Sequence, residues 1–271
     1  METLTVLGTG NATAVKCYNT CFALGKGDDY FLVDAGGGNG IFRQLESAKI
    51  PFPRIRAAFL SHSHTDHIFG MIWVLRKILT LMGQGKYEGP FTLYCHEELA
   101  EKVRTIAKLT LTPGMFGRIG EDIRLLSVAD GEETDVLGHG VRFFDIHSDK
   151  EKQFGFTLAL SSARYPEKKL AFLGDEPFNE RCRPHVTGCA WLLCEAFCLY
   201  GEREIFKPYE KHHSTVREAC ELAEELGAPN LVLWHTEDSH IAERKALYGA
   251  EGRQFYHGNL FVPDDLDVIA L

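Results

Sequence analysis

Four short apolar runs in this chain each end in a side chain that can hold a metal. Ala57 to Ser61 runs into His62, Val141 to Ile146 into His147, Leu170 to Gly174 into Asp175, and Leu231 to Trp234 into His235. Apolar runs of this length, bounded by polar or turn residues, read as buried strands. In α/β proteins, sites are built at strand ends. One histidine or aspartate in such a place is ordinarily structural. Four of them, in one chain that also carries a dense histidine cluster, reverse that expectation.

The cluster is His62-Ser63-His64-Thr65-Asp66-His67. In extended chain, His62 and His64 point the same way. A turn after them brings Asp66 and His67 back to the same point. Neutral imidazole and carboxylate are the usual N/O ligands for zinc and similar borderline metals. Two imidazoles can serve one ion while the carboxylate and third imidazole serve another, and a distant aspartate can bridge them. Two ions roughly 3.5–4 Å apart can activate a shared water and neutralise charge on a substrate.

The rest of the chain alternates strand and helix. Strands are expected at Thr3 to Leu7, Thr20 to Leu24, Tyr30 to Asp34, Ala57 to Ser61, Phe91 to Cys95, Arg124 to Ser127, Val141 to His147, Phe154 to Ser161, Lys169 to Gly174, Trp191 to Ala196 and Leu231 to Trp234. Helices are expected at Ile68 to Met82, around Glu97 to Lys108, and at Val216 to Leu226. The last has a capping box in Thr215 and Glu218, with Gly227 and Pro229 ending it. This pattern gives α/β layers, helices covering sheets. No segment reads as a hinge, so residues 1–271 are expected to form a single domain.

Composition narrows the function. A net charge of −9 argues against a protein that grips nucleic acid over a wide surface. Bound divalent metals would make a cleft more positive than that count. No stretch is long and apolar enough to span a bilayer, and Met1-Glu2-Thr3 does not open a signal peptide. The eight cysteines lie mostly in apolar segments and are expected to be reduced thiols in a cytoplasmic protein. Cys182, His185 and Cys189 lack a C-x-x-C pair, and a zinc knot is not expected there.

The motif "HSHTDH" resembles the H-x-H-x-D-H signature of the metallo-β-lactamase superfamily, with His147, Asp175 and His235 following in the expected order. Within it, the chain is similar to ribonuclease Z and its phosphodiesterase relatives. "LGTGNATAVKCYNTCFAL" resembles that branch's glycine turn and Asn-Thr strand, and "DAGGGNG" its Asp-x-Gly turn. "LLCEAF" sits where the branch has His-Glu-Ala-Thr, with Cys194 in the histidine's place. "HSTVREA" resembles its His-Ser-Thr loop. The resemblance implies a four-layer αββα sandwich and two divalent metal ions, zinc first, with manganese or iron as alternatives. It places His62, His64 and His147 on one ion and Asp66, His67 and His235 on the other, with Asp175 bridging. Asp66 would also hold or deprotonate the nucleophilic water. His213 would act as general acid or stabilise the developing charge, oriented by Glu195; a carboxylate behind a histidine fixes the ring and raises its basicity.

Ribonuclease Z carries a protruding arm that grips transfer RNA. Its common bacterial position lies between the residues matching His147 and Asp175, here only 28 positions apart. The interval reads as a simple hairpin. The expected activity is therefore hydrolysis of a small or medium phosphodiester. Alternatives are transfer-RNA 3′-end cleavage, lactone, thioester or amide hydrolysis on the same scaffold, and a non-catalytic or redox metal domain. A homodimer is compatible with the sequence.

Overall fold

The computed structural model describes residues 2–161 and 168–271. Along the chain the strands are β1 (Glu2–Gly8), β2 (Cys21–Lys26), β3 (Asp29–Val33), β4 (Ile55–Phe59), β5 (Phe91–Cys95), β6 (Ile123–Ser127) and β7 (Glu133–Val136). They continue with β8 (His139–Asp145), β9 (Phe154–Ala159), β10 (Lys169–Phe172), β11 (Trp191–Glu195), β12 (Asn230–Trp234), β13 (Asn259–Phe261) and β14 (Val268–Ala270). The helices are α1 (Gly40–Ser47), α2 (Thr65–Gly83), α3 (Glu97–Thr110), the single turns α4 (Pro113–Phe116), α5 (Arg183–Val186) and α6 (Arg203–Phe206), then α7 (Val216–Glu225) and α8 (Arg244–Gly252).

The strands form two seven-stranded sheets, ordered β14-β1-β2-β3-β4-β5-β6 and β13-β12-β11-β10-β9-β8-β7. Side chains alternate across each strand, so each sheet has two apolar faces to cover. In β4, Ala57 and Phe59 face the opposite sheet, and Ala58 faces the helices. Aromatic rings fill the space between the sheets. Phe22 stacks on Trp234 with centroids 4.8 Å apart, and Phe59 stacks on Phe143 at 5.2 Å. The outer face of the first sheet is buried with residues of α1, α2 and α3, and that of the second with residues of α7 and α8. The layers are therefore αββα, as expected.

Several boundaries differ from the sequence expectation. Helix α2 begins at Thr65 instead of Ile68, which places Asp66 and His67 in its first turn. The capping box at Thr215 is present in full, and Gly227 takes the left-handed backbone that ends α7. Strands β7, β13 and β14 and helices α1 and α8 were not expected. The short edge strands carry little apolar alternation, and α8 contains two glycines, which weaken its helical signal. β9 and β10 pair antiparallel from Lys169↔Ala159 to Phe172↔Phe156, as the hairpin expectation requires. The expected strand runs two residues past β9, to Ser161, and the expected turn of that hairpin falls partly on residues 162–167, outside the described residues. No helix among the described residues is long and apolar enough to cross a membrane.

Candidate metal centre

The strand ends converge, and their backbones show how. Asp34, His147, Gly174 and His235 follow β3, β8, β10 and β12, and all four have positive φ (53°, 60°, 75° and 57°). Left-handed backbone is uncommon outside glycine and is concentrated at functional sites. Here it turns the chain out of the sheet edge directly at the convergence point. Helix α2 is seated against the same point. Gly70 N–H donates to the Gly36 carbonyl at 2.8 Å, and a Cβ on Gly70 would lie 1.7 Å from the Ala35 oxygen. Only glycine allows the first turn of α2, with Asp66 and His67, to press against the turn after β3.

Two groups of ligand atoms result, each lying within 4.8 Å of one another. One is Asp66, His67, Asp175 and His235, and the other is His62, His64 and Asp175. Asp175 belongs to both. Its Oδ2 lies 3.6 Å from His62 Nε2, 3.3 Å from His67 Nε2 and 3.5 Å from His235 Nε2. His62 Nε2 and His64 Nδ1 are 2.9 Å apart.

The outer hydrogen bonds can leave the same nitrogen free on three of the rings. His67 Nδ1 donates to Asp34 Oδ2 at 2.8 Å. Ser61 Oγ gives its own proton to Asp34 Oδ2 at 2.7 Å and can accept His62 Nδ1–H at 3.0 Å. Thr20 Oγ1 gives its proton to the Gly10 carbonyl and can accept His235 Nδ1–H at 3.1 Å. In that arrangement all three rings present an Nε2 lone pair to Asp175 Oδ2, which is also an acceptor. His67 Nε2 is buried with no hydrogen-bond partner among the described residues, although Asp66 Oδ2 and Asp175 Oδ2 both lie 3.3 Å away. Acceptors facing acceptors in a buried site need a cation between them. The donor set fits two divalent metal ions of the N/O-preferring kind.

The charge balance without metal agrees. Burial opposes charge on His67, but Asp66 and Asp34 outweigh it and push its pKa well above the ordinary histidine value. Burial likewise opposes charge on Asp175, but His62 and His235 outweigh it and hold that carboxyl well below the usual range. Asp66 is depressed in the same way, chiefly by His67 against its burial. His62 and His235 are lowered by burial. A proton on His67 thus does part of what metal ions would do.

Other candidates fall outside the two groups. His147 stands at the end of β8, with its backbone N–H on Asp145 Oδ1 at 2.7 Å, and its ring joins neither group. His213 lies beside the site, its ring centroid 5.1 Å from that of His235 and stacked on Phe197 at 4.9 Å. Burial, then the nearby His235, lowers its pKa to about 3. Glu195 is fully buried, and burial raises its pKa well above the carboxylate range. Glu195 Oε2 and His213 Nδ1 face each other at 3.7 Å, both without a hydrogen-bond partner among the described residues. The firm bond of Glu195 is to the Ser214 N–H, 2.5 Å from Oε1. The expected carboxylate–imidazole pair is thus close but unbonded. Cys182, His185 and Cys189 form no metal group among the described residues. His185 instead stacks on Phe144 at 4.6 Å.

Three residues around the site were not singled out from sequence. Asp34 was legible only as part of a glycine turn, Thr20 as the start of a strand, and Gln153 as part of a hairpin. Gln153 is buried, with Nε2 at 2.8 Å from His62 Nδ1 and 2.5 Å from Asp175 Oδ1.

Known proteins share this design. Residues 29–236 match the family described as the beta-lactamase superfamily domain. The chain is 25% identical to a ribonuclease Z of Thermococcus sibiricus, the alignment covering 98% of this chain and 95% of that one. Among solved structures, the metallo-beta-lactamase fold protein YhfI from Bacillus subtilis superposes with a TM-score of 0.78 at 17% identity, covering 99% of this chain and 98% of that one. A diphosphatase from the PhnP family superposes with a TM-score of 0.74 at 18% identity, covering 100% and 98%. With its ligand clusters at the edge of an αββα sandwich, this chain belongs to the metallo-β-lactamase superfamily, in its ribonuclease Z-like branch, and is a metal-dependent hydrolase.

Proposed function

We propose that this chain is a dinuclear phosphodiesterase acting on small or medium phosphodiesters. The observation that carries this reading is His213, a buried imidazole beside the ligand groups but outside both of them. Phosphodiester cleavage expels an alkoxide, which needs a proton or charge stabilisation. His213 is placed to supply it, with Glu195 behind its ring; burial keeps the ring neutral in the free protein, and the negative charge of a bound phosphodiester beside it favours the protonated form. Asp66, held ionised by its neighbours, positions the nucleophilic water and accepts its proton. His62 and His64 would hold one ion, with His147 as the third protein ligand. Asp66, His67 and His235 would hold the other, and Asp175 would bridge. Bound ions supply charge neutralisation at the phosphoryl oxygens and lower the pKa of a water. Zinc suits these ligands, and manganese or iron would be accepted by the same atoms.

Substrate size is argued from the interval between His147 and Asp175. It is 28 positions long, and the stretch from the start of β9 to the end of β10 takes up most of it. Only nine residues connect Ala159 to Lys169, which leaves no length for a transfer-RNA-gripping arm. The ribonuclease Z relatives keep transfer RNA as the second reading.

The test is a substrate panel with the metal-loaded protein. An activated aryl phosphodiester should turn over, β-lactams should not, and precursor transfer RNA should be cleaved poorly. Lactone or thioester turnover orders of magnitude faster than any phosphodiester would sink the proposal. Efficient cleavage at the 3′ end of precursor transfer RNA would promote the second reading.

A further inference from the structure

Asp175 serves both ligand groups, so the direction of its carboxylate matters more than that of any other side chain in the site. Oδ2 faces the three imidazole Nε2 atoms. Oδ1 faces away and accepts from Gln153 Nε2. The same amide closes a second bond, with Gln153 Oε1 accepting the Asp175 backbone N–H at 3.1 Å. Gln153 is itself held on both sides. Its carbonyl accepts from Ile146 N–H at 3.0 Å, and the next N–H, of Phe154, donates to the Ser61 carbonyl at 3.1 Å. Its amide rests on Gly174, where an added Cβ would lie 2.1 Å from Oε1. The side chain thus reaches the Asp175 strand end from a backbone pinned at the end of β8 and, through the neighbouring Phe154 N–H, at the residue before His62.

We propose that Gln153 is a positioning residue that fixes Asp175 as a one-oxygen bridge. This rests on the dinuclear reading above. With Oδ1 tied to the amide, only Oδ2 is presented to both groups, and neither group can draw the carboxylate to itself. A carboxylate free to rotate could give both oxygens to one ion and leave the other short of a ligand. The Gln153 amide nitrogen also lies 2.8 Å from His62 Nδ1. When that nitrogen carries its proton for Ser61 Oγ, the amide has no acceptor there and is committed to Asp175.

Gln153→Met keeps the length and removes the amide. Metal content and chelator competition are measured first, without substrate. The parent should hold two ions per chain. The variant should hold the weaker ion about 10–100-fold less tightly, the usual consequence of losing an outer hydrogen-bond partner. In steady state, kcat should fall with little change in KM, because Gln153 is buried behind Asp175. Should the variant not fold, a crystal structure of the metal-loaded parent decides. Gln153 must then be on Asp175 Oδ1, with Oδ2 alone on the ions. Two ions held by Gln153→Met at parental affinity, with parental kcat, would overturn the proposal, as would both Asp175 oxygens on metal in the parent. A parent that holds fewer than two ions overturns the dinuclear reading and this inference with it.

Discussion

The two ligand groups are built differently. Asp66, His67, Asp175 and His235 are all buried and bring two carboxylates to one point. The His62–His64 group has Asp175 as its only carboxylate, and His64 is half-buried at the N-terminus of α2. The first group has its outer partners complete, since Asp34 holds His67 and Thr20 holds His235. In the second, Ser61 holds His62, while His147 stands apart. Pre-organised carboxylate-rich sites hold hard and borderline cations more tightly than sites that must gather a ligand. The buried group should therefore fill first, and the His62–His64 group second.

The strongest way to break this comparison is to remove what the groups share. Asp175→Ala should lower occupancy at both and reduce kcat by well over the roughly 10–100-fold expected for an outer partner. Elemental analysis and steady-state kinetics check it. A variant that keeps two ions would show that Asp175 is not the bridge.

His213→Ala should act on chemistry alone. Metal content should stay at the parental level while kcat falls roughly 10²–10⁴-fold, the range for loss of a general acid or base. The loss should shrink for substrates with acidic leaving groups. Metal loss instead of rate loss would make His213 a ligand. Glu195→Gln should give a weaker form of the same defect, since Glu195 and His213 are unbonded at 3.7 Å.

A metal titration sharpens the comparison directly. His64→Ala should remove the second-filling ion and leave the tighter one, and His67→Ala should do the reverse at greater cost to stability. Ions held at about 1,000 times their Kd add about 4 kcal/mol to folding. Thermal melts with and without chelator should show the larger loss for His67→Ala. Equal losses would erase the proposed difference between the groups.

How much of this was legible in the sequence follows the same division. The His62–His67 segment was legible because its ligands are close along the chain. The later ligands were legible because apolar strands announce their own ends. The helix layers followed from periodicity. Asp34 was legible only as part of its glycine turn, and Thr20 and Gln153 had no local signal, because each acts on a residue far away in sequence. Gln153 acts on His62 across 91 positions. Gly70 carries a hidden signal of the same kind, since its need for close approach to Ala35 exists only once α2 is docked. The distance between Glu195 and His213 was likewise beyond reach, because it is set by the Ser214 backbone N–H that captures the carboxyl.

The smallest expected effect lies just outside both groups and serves as their control. His96 caps α3, with Nδ1 accepting Leu99 N–H at 3.3 Å and Nε2–H donating to the Lys152 carbonyl at 3.0 Å. The first bond needs the neutral ring, because a protonated Nδ1 cannot accept; the second survives protonation. Burial, the largest influence on it, lowers the His96 pKa below the ordinary value of 6.5. A base whose folded pKa is depressed contributes stability that is present above its unfolded pKa and is lost as pH falls through that value toward the folded one. Metal-free protein should therefore lose stability on acidification below about 6.5. Part of that loss should disappear in His96→Asn, which keeps a capping acceptor without a titrating ring. The substitution itself should cost roughly 1 kcal/mol at neutral pH. Urea melts of metal-free parent and variant at pH 7.5 and 5.5 measure both quantities. An identical pH dependence in the two proteins would assign the acid loss to the other histidines lowered in the same direction, His62, His139, His185, His213 and His235.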